Sequence, residues 1–133
     1  MNTLQNLMTA KLKTIRHDAT IQEAARRMRD ERVGSLFVER DGGIVAIVTE
    51  TDIVRKASAR GADLGKEKIE AIMTAPVVSI EIQRTPQDAH DMMGDLGVRH
   101  LGVTDKGKIV GLLSVRDLLI YFKSVSEPRI TQD

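Results

Sequence analysis

The chain has 133 residues, which suits one compact domain or two interlocked halves. Its 20 basic and 19 acidic residues leave a net charge of +1 without a basic block, so a generic nucleic-acid or membrane-surface role is not expected. The lack of cysteine excludes a disulfide framework, a thiol nucleophile and a zinc site with cysteine ligands. No signal peptide opens the sequence, and no run approaches the ~20 apolar residues of a membrane helix. We therefore expect a soluble, cytoplasmic protein.

The sequence repeats itself at an offset of 65 residues, so that residues 8–52 align with residues 73–117 without a gap. Sixteen of these 45 positions are identical, and they include polar and glycine positions as well as apolar ones. A shared hydrophobic period cannot produce such matches, so the chain holds two copies of one folding unit. We expect a first copy over 1–60, a connector over 61–71, a second copy over 72–122 and a flexible tail over 123–133.

Each copy reads as strand, helix, strand, strand and helix, which predicts an α/β (α+β) fold of two β-α-β-β-α repeats with pseudo-twofold symmetry. Thr20 and Thr85 mark helix starts, because an acidic residue follows each at the spacing of a capping box. A glycine-containing turn joins two strands as a hairpin in each copy. In the first copy the predicted limits are 12–15, a helix from 20, 35–38, 44–48 and 49–59. In the second copy they are 77–80, a helix from 85, 101–103, 108–113 and 116–122.

Both copies end in a matching junction, where a buried strand runs into a hydroxyl residue and an acid follows three residues later. The two pairs are Thr49 with Asp52 and Ser114 with Asp117. One interpretation is a further capping box, in which both side chains only satisfy backbone groups of the helix. The other is a nucleotide site, in which the helix N-terminus and the hydroxyl hold a phosphate and the carboxylate accepts the ribose hydroxyls. The local sequence by itself favours the capping box, because caps begin most helices.

The ordered set of motifs resembles a tandem pair of cystathionine-β-synthase (CBS) domains, a Bateman module, over residues 7–122. The residues that carry the resemblance are Met8-Thr9, Met73-Thr74, Gly42, Gly107 and Gly111-x-x-Ser114-x-x-Asp117. It implies that an adenosine-containing ligand such as AMP, ADP or ATP, or alternatively S-adenosylmethionine or NAD, binds in clefts between the halves. The resemblance places the Asp at the ribose and the Ser or Thr beside the phosphate.

Carried over residue by residue, the resemblance implies two sets of nucleotide-binding residues. The set in the second copy is Asp117, Ser114, Arg116, Ser79, Ile80, Val98, Arg99 and His100. The set in the first copy is Asp52, Thr49, Thr14 and Ser35. Arg99-His100 is similar to a basic pair with which the family reaches phosphates, whereas the first copy has Gly34-Ser35 there. We therefore expect the Asp117 cleft to bind better, with a solvated hairpin approach as the alternative role of Arg99 and His100.

The sequence shows no nucleophile–base pair, and its three scattered histidines have no metal-ligand spacing, so neither an enzyme nor a metal site is expected. The resemblance implies instead a stand-alone regulatory module that signals to a separate, unidentified partner protein. A structural or protein-interaction module without a ligand is the alternative. Residues 118–122 are too apolar for a helix that is covered on one side only, so we expect a homodimer.

Overall fold

The computed structural model describes residues 3–130 of the chain. Each half follows the predicted order of strand, helix, strand, strand and helix, and the short helix α1 precedes the first strand. The first half contains α1 (Leu4–Leu7), β1 (Thr14–Arg16), α2 (Ile21–Glu31), β2 (Ser35–Arg40), β3 (Gly43–Thr49) and α3 (Glu50–Asp52), then a π-helical turn (Ile53–Ala57) and two 3₁₀ turns (Ser58–Arg60, Ile69–Ala71). The second half contains β4 (Ser79–Glu81), α4 (Pro86–Leu96), β5 (His100–Asp105), β6 (Lys108–Ser114) and α5 (Val115–Ile130).

Each half builds one three-stranded sheet, with the order β1-β2-β3 in the first and β4-β5-β6 in the second. In both sheets the first strand is parallel to the second, and the second is antiparallel to the third. The registers match at the repeat offset, since Ser35 faces Thr49 and His100 faces Ser114. The predicted α/β fold of two repeats is therefore confirmed.

The hairpin turns explain why the two strands of each pair meet in this register. Asp41 and Gly42 have φ angles of 51° and 80°, and Lys106 and Gly107 have φ angles of 53° and 79°. Two consecutive left-handed residues define a tight two-residue turn whose twist matches that of the flanking strands. Glycine at the second position adopts this conformation without a Cβ penalty.

The contacts divide the chain into two compact units. The first unit is Lys13–Val77, and the second joins the chain from Val78 onward to the N-terminal segment that ends at Leu12. Within the second unit Thr9 pairs with Leu112, through N–H···O bonds of 2.8 and 3.0 Å. Within the first unit Thr74 and Ile47 make the equivalent pair, also at 2.8 and 3.0 Å. The Met-Thr motif that opens one repeat in sequence thus pairs with the third strand of the other repeat. The predicted limits at 60 and 72 follow the sequence repeat, and as domain boundaries they stay a prediction.

Each unit has its own apolar core between its sheet and its helices. In the first unit α2 presents a stripe of buried side chains to the sheet, and the short 3₁₀ turn of the connector closes the cluster. Its members include Ile15, Ile21, Ala24, Met28, Leu36, Val38, Val48, Ile69 and Ile72. The core of the second unit consists of Leu4, Ile80, Ala89, Met93, Leu101, Val103, Leu113 and Leu118. Leu4 is fully buried, which ties α1 to the second unit.

The two closing helices differ from the predictions in shape and in length. The predicted helix 49–59 is a short α-helix, a wider π turn and a 3₁₀ turn in succession. The helix predicted to end at residue 122 runs on to Ile130: Lys123–Ser126 contains no glycine or proline that would end it, and Pro128 lies in its last turn. The hydroxyl of Ser126 also donates to the carbonyl oxygen of Phe122 at 3.0 Å. The predicted flexible tail ends in residues 131–133, which lie outside the described residues.

Candidate functional site

The junction of β6 and α5 places Ser114 and Asp117 in direct contact. Asp117 Oδ2 accepts from the Ser114 backbone N–H at 2.8 Å and from the Ser114 hydroxyl at 3.0 Å. The Asp117 N–H in turn donates to Ser114 Oγ at 3.2 Å. The capping arrangement is therefore formed, and it uses one carboxylate oxygen. Within the described residues Asp117 Oδ1 makes no hydrogen bond, and the side chain is half-buried, so this oxygen can still accept a ligand hydroxyl.

The junction of β3 and α3 makes the same cap, but there both carboxylate oxygens of the aspartate have partners. Asp52 Oδ2 accepts from the Thr49 N–H at 3.0 Å, and the Asp52 N–H donates to Thr49 Oγ1 at 3.1 Å. Asp52 Oδ1 lies 2.9 Å from the ammonium nitrogen of Lys56 and 3.5 Å from the Thr74 hydroxyl. Asp52 is only 6% exposed. The two equivalent acids therefore differ in what their second oxygen contacts.

Backbone hydrogen bonds bring several of the predicted residues of the second unit to the start of α5. The Val115 N–H donates to the Arg99 carbonyl oxygen at 2.9 Å, and His100 faces Ser114 across the sheet. The side chains of Arg99 and Arg116 are exposed, and both residues stand at the start of α5. These positions fit the binding of an anion, because the two cations and the N-terminal end of the helix dipole favour negative charge.

The other predicted residues of the second unit have different surroundings. Ser79 is exposed and faces Gly102, two strand positions from the level of His100. Ile80 is buried in the core at 3% exposure, so it supports the strand. Val98 is half-buried and packs against the same core. Of these three side chains, Ser79 has the greatest access to solvent.

The remaining predicted residues of the first unit lie in two places. Ser35 faces Thr49 across the hairpin, is 2% exposed, and its hydroxyl finds no partner in the described part of the chain. Thr14 begins β1 and faces Phe37 instead. It lines a groove of about 410 Å³ whose other walls are Ile15, Arg16, Asp18, Ala19, Glu23, Arg27 and Glu39. This groove does not contain Thr49, Asp52 or Ser35, so it is separate from the junction.

Two features of the junctions escaped the sequence analysis. Lys56 follows Asp52 by four residues, a spacing that allows a helical ion pair and could have drawn attention to it. Gly111 packs against Met8 so closely that an added Cβ would lie 2.9 Å from Met8 Cγ. That contact joins the N-terminal segment to β6, and only the folded chain reveals it.

The described residues contain neither a membrane-spanning helix nor a cluster of metal ligands. Among residues 3–130 no helix combines the length and the apolar character needed to cross a bilayer. In the same stretch no group of three or more His, Asp or Glu side chains is placed to hold a metal ion.

The comparisons with known proteins identify the family. The CBS domain family matches residues 4–59 and again residues 69–124, which together make up most of the chain. The chain therefore belongs to the CBS-domain family and is a tandem pair of CBS domains, as the sequence motifs predicted.

Similar proteins support this membership. The CBS domain-containing protein YhcV of Bacillus subtilis is 29% identical over 90% of this chain and 85% of its own length. An uncharacterized conserved protein from Pyrococcus horikoshii is 29% identical with a TM-score of 0.86, over 92% of this chain and 96% of that chain. The CBS domain pair of protein MJ0100, solved with 5′-methylthioadenosine and S-adenosyl-L-methionine, has a TM-score of 0.81, over 91% of this chain and 99% of that chain. Its identity is 24%, so this last likeness concerns the fold alone.

Proposed function

We propose that this chain is a regulatory CBS pair that binds an adenosine-containing nucleotide at the junction of β6 and α5. AMP, ADP and ATP are the first candidates, and S-adenosylmethionine and NAD are the alternatives. The observation that carries the proposal is Asp117 Oδ1, which is held in place by the cap yet has no hydrogen bond within the described residues. A carboxylate oxygen fixed in this way is suited to accept the hydroxyl groups of a ribose.

The groups around Asp117 suit the phosphate of the same ligand. The Ser114 backbone N–H holds Asp117 Oδ2 at 2.8 Å, so the Ser114 hydroxyl can turn toward a phosphate while the cap persists. The exposed guanidinium groups of Arg99 and Arg116 can add charge-assisted contacts, and the helix dipole at the start of α5 favours an anion. The equivalent positions of the first copy are Gly34 and Thr51, which carry no charge. The second unit is therefore the better candidate for nucleotide binding.

Regulation is a role that a ligand-binding module can perform through a change of conformation. A ligand that binds two arrangements of the protein unequally shifts the population between them, and a partner protein can respond to that shift. The alternative is a structural or protein-interaction module without a ligand. The complete caps at both junctions favour that alternative, since a cap by itself explains why Ser114 and Asp117 stand at this spacing.

Calorimetric titration of the wild-type protein and of Asp117→Ala separates the two functions. AMP, ADP, ATP, NAD and S-adenosylmethionine are titrated one at a time. If Asp117 holds the ribose, its loss removes a charge-assisted contact of about 1.5–3 kcal/mol, so the affinity falls about tenfold to a hundredfold.

The matched control is Asp88→Ala, because Asp88 makes the same cap with Thr85 at the start of α4. This variant loses a capping carboxylate but keeps the candidate site, so its affinity should equal that of the wild type. No heat from any of the five ligands with the wild-type protein would instead support the structural module.

A further inference from the structure

The repeat offset reveals a difference between the two junctions that affects ligand binding. Lys56 in the first copy corresponds to Tyr121 in the second, four residues after Asp52 and Asp117 respectively. Tyr121 is half-buried and its ring packs edge-on against Phe122, with 5.1 Å between the ring centroids. A phenol has no positive charge, so nothing at this position neutralises Asp117.

At the first junction the ammonium group of Lys56 lies near three oxygen acceptors. Its ammonium nitrogen lies 2.9 Å from Asp52 Oδ1, 3.3 Å from the Ile72 carbonyl oxygen and 3.4 Å from Thr74 Oγ1. An ammonium group has three N–H donors, and these three oxygens can accept all of them. The Lys56 side chain is half exposed, whereas the Asp52 side chain is 8% exposed, so the cation covers the acid from the solvent side.

We infer that Lys56 is an internal counter-ion that closes the Asp52 junction, so that the chain binds one nucleotide, at Asp117. The inference rests on the proposed function. A ribose hydroxyl that approached Asp52 Oδ1 would have to displace a charged donor with a neutral one, and it would break the contacts of Lys56 with Ile72 and Thr74. At Asp117 Oδ1 no donor among the described residues has to leave.

A second observation shows that the first junction still has an unsatisfied polar group. Ser35 lies on the strand position that pairs with Thr49, and its buried hydroxyl has no hydrogen-bond partner among the described residues. A fold that satisfied this junction completely would give that hydroxyl an acceptor. Lys56 contacts the Asp52 carboxylate and not the Ser35 hydroxyl, so the closure that we infer concerns the carboxylate alone.

The test places Lys56→Met in the Asp117→Ala background and uses AMP, ATP and S-adenosylmethionine as separate probes in calorimetry. The wild-type protein should bind one equivalent of a probe, and Asp117→Ala should lose most of that binding. The double variant should regain binding by at least about tenfold over Asp117→Ala, because Asp52 Oδ1 has become available. Arg55→Met in the same background is the control, since it removes a neighbouring exposed cation that does not contact Asp52.

A reciprocal variant tests the same idea even if Lys56→Met does not fold. Tyr121→Lys should close the second junction by pairing with Asp117, and the affinity should fall at least about tenfold while the variant still unfolds cooperatively on heating, at a melting temperature lowered by the lost ring contact with Phe122.

The outcomes separate the inference from the proposed function. Two equivalents bound by the wild type, no regain in the double variant, or unchanged affinity in Tyr121→Lys would each overturn the inference and leave nucleotide binding intact. No heat from any probe with the wild type and the Lys56→Met single variant would overturn the proposed function itself.

Discussion

Asp52 and Asp117 occupy equivalent positions in the two copies, but only their Oδ2 atoms have the same surroundings. Each Oδ2 completes a cap on a neighbouring backbone N–H, at 3.0 Å for Asp52 and 2.8 Å for Asp117. The second oxygen of Asp52 pairs with Lys56, whereas that of Asp117 has no hydrogen bond within the described chain. A cap and a binding group are therefore compatible roles for one carboxylate, because its two oxygens act separately.

Replacement of Ser35 by alanine should leave the protein as stable as the wild type or raise the free energy of unfolding by about 1 kcal/mol. Its hydroxyl is buried without a partner in the described part of the chain, so its desolvation is not compensated. Urea unfolding of both proteins measures the difference.

The control for this prediction is Ser79→Ala, whose exposed hydroxyl should matter little to stability. A loss of more than 1 kcal/mol in Ser35→Ala, with no change in Ser79→Ala, would mean that the Ser35 hydroxyl has an acceptor after all.

Gly111 illustrates a residue whose role depends on a distant neighbour. Its counterpart in the first copy is Ala46, which is fully buried and fits its site. At Gly111 the side chain of Met8 occupies the space that a Cβ would need. The sequence shows the difference between the two positions, and only the contact with Met8 explains it.

At the scale of elements, the caps of α2 and α4 follow directly from local sequence. Thr20 accepts from the Glu23 N–H at 3.1 Å, and Thr85 accepts from the Asp88 N–H at 3.0 Å. Both contacts span three residues, so the predicted spacing was sufficient to place them. The two closing helices were harder to predict, because the first contains a π-helical turn at Ile53–Ala57 and the second includes Pro128, and neither feature follows from helical periodicity.

The cap of α4 should make stability depend on pH. The backbone N–H of Thr85 donates to the Asp88 carboxylate, and this bond, followed by the Thr85 side chain and the Arg84 charge, lowers the pKa of Asp88. A pKa that is lower in the folded than in the unfolded protein stabilises the fold above the unfolded pKa, and this contribution is lost as the pH falls through the folded pKa. Asp88→Asn should therefore be less stable than the wild type at neutral pH. The difference should shrink below the ordinary aspartate pKa of about 3.9.

A series of urea titrations from neutral to acidic pH measures this dependence. Asp95→Asn is the control, because Asp95 is exposed near the other end of the same helix and should show no such loss. A difference between wild type and Asp88→Asn that stays constant with pH would show that the carboxylate of Asp88 does not stabilise the cap through its charge.

At the scale of the whole molecule, α5 carries apolar side chains that the chain itself does not cover. Leu119 is 64% exposed, Ile120 is 60% exposed and Val125 is 47% exposed. Exposed apolar side chains on one helix favour self-association, and we propose a homodimer through this surface. Light scattering at micromolar concentration should give twice the chain mass.

A charge placed on this surface should separate the protomers. Leu119→Glu should give a monomer, because burial of a carboxylate in an apolar contact is unfavourable. Lys108→Glu, on an exposed position of β6 outside this helix, should remain a dimer. A monomeric wild type, or a Leu119→Glu variant with unchanged mass, would contradict the proposed dimer.

The two repeats, the order of their main elements, the hairpin turns and the caps could all be predicted from the sequence. The repeat is visible as identical residues at a fixed offset, and each turn or cap depends on residues that are close together in the chain. The same holds for the spacing of Ser114 and Asp117. Three features required the folded chain: the pairing of Thr9 with Leu112, the contacts of Lys56 with Ile72 and Thr74, and the oxygen of Asp117 that has no hydrogen bond in the described residues. These features arise from contacts between residues far apart in sequence, and such contacts form only when the chain folds.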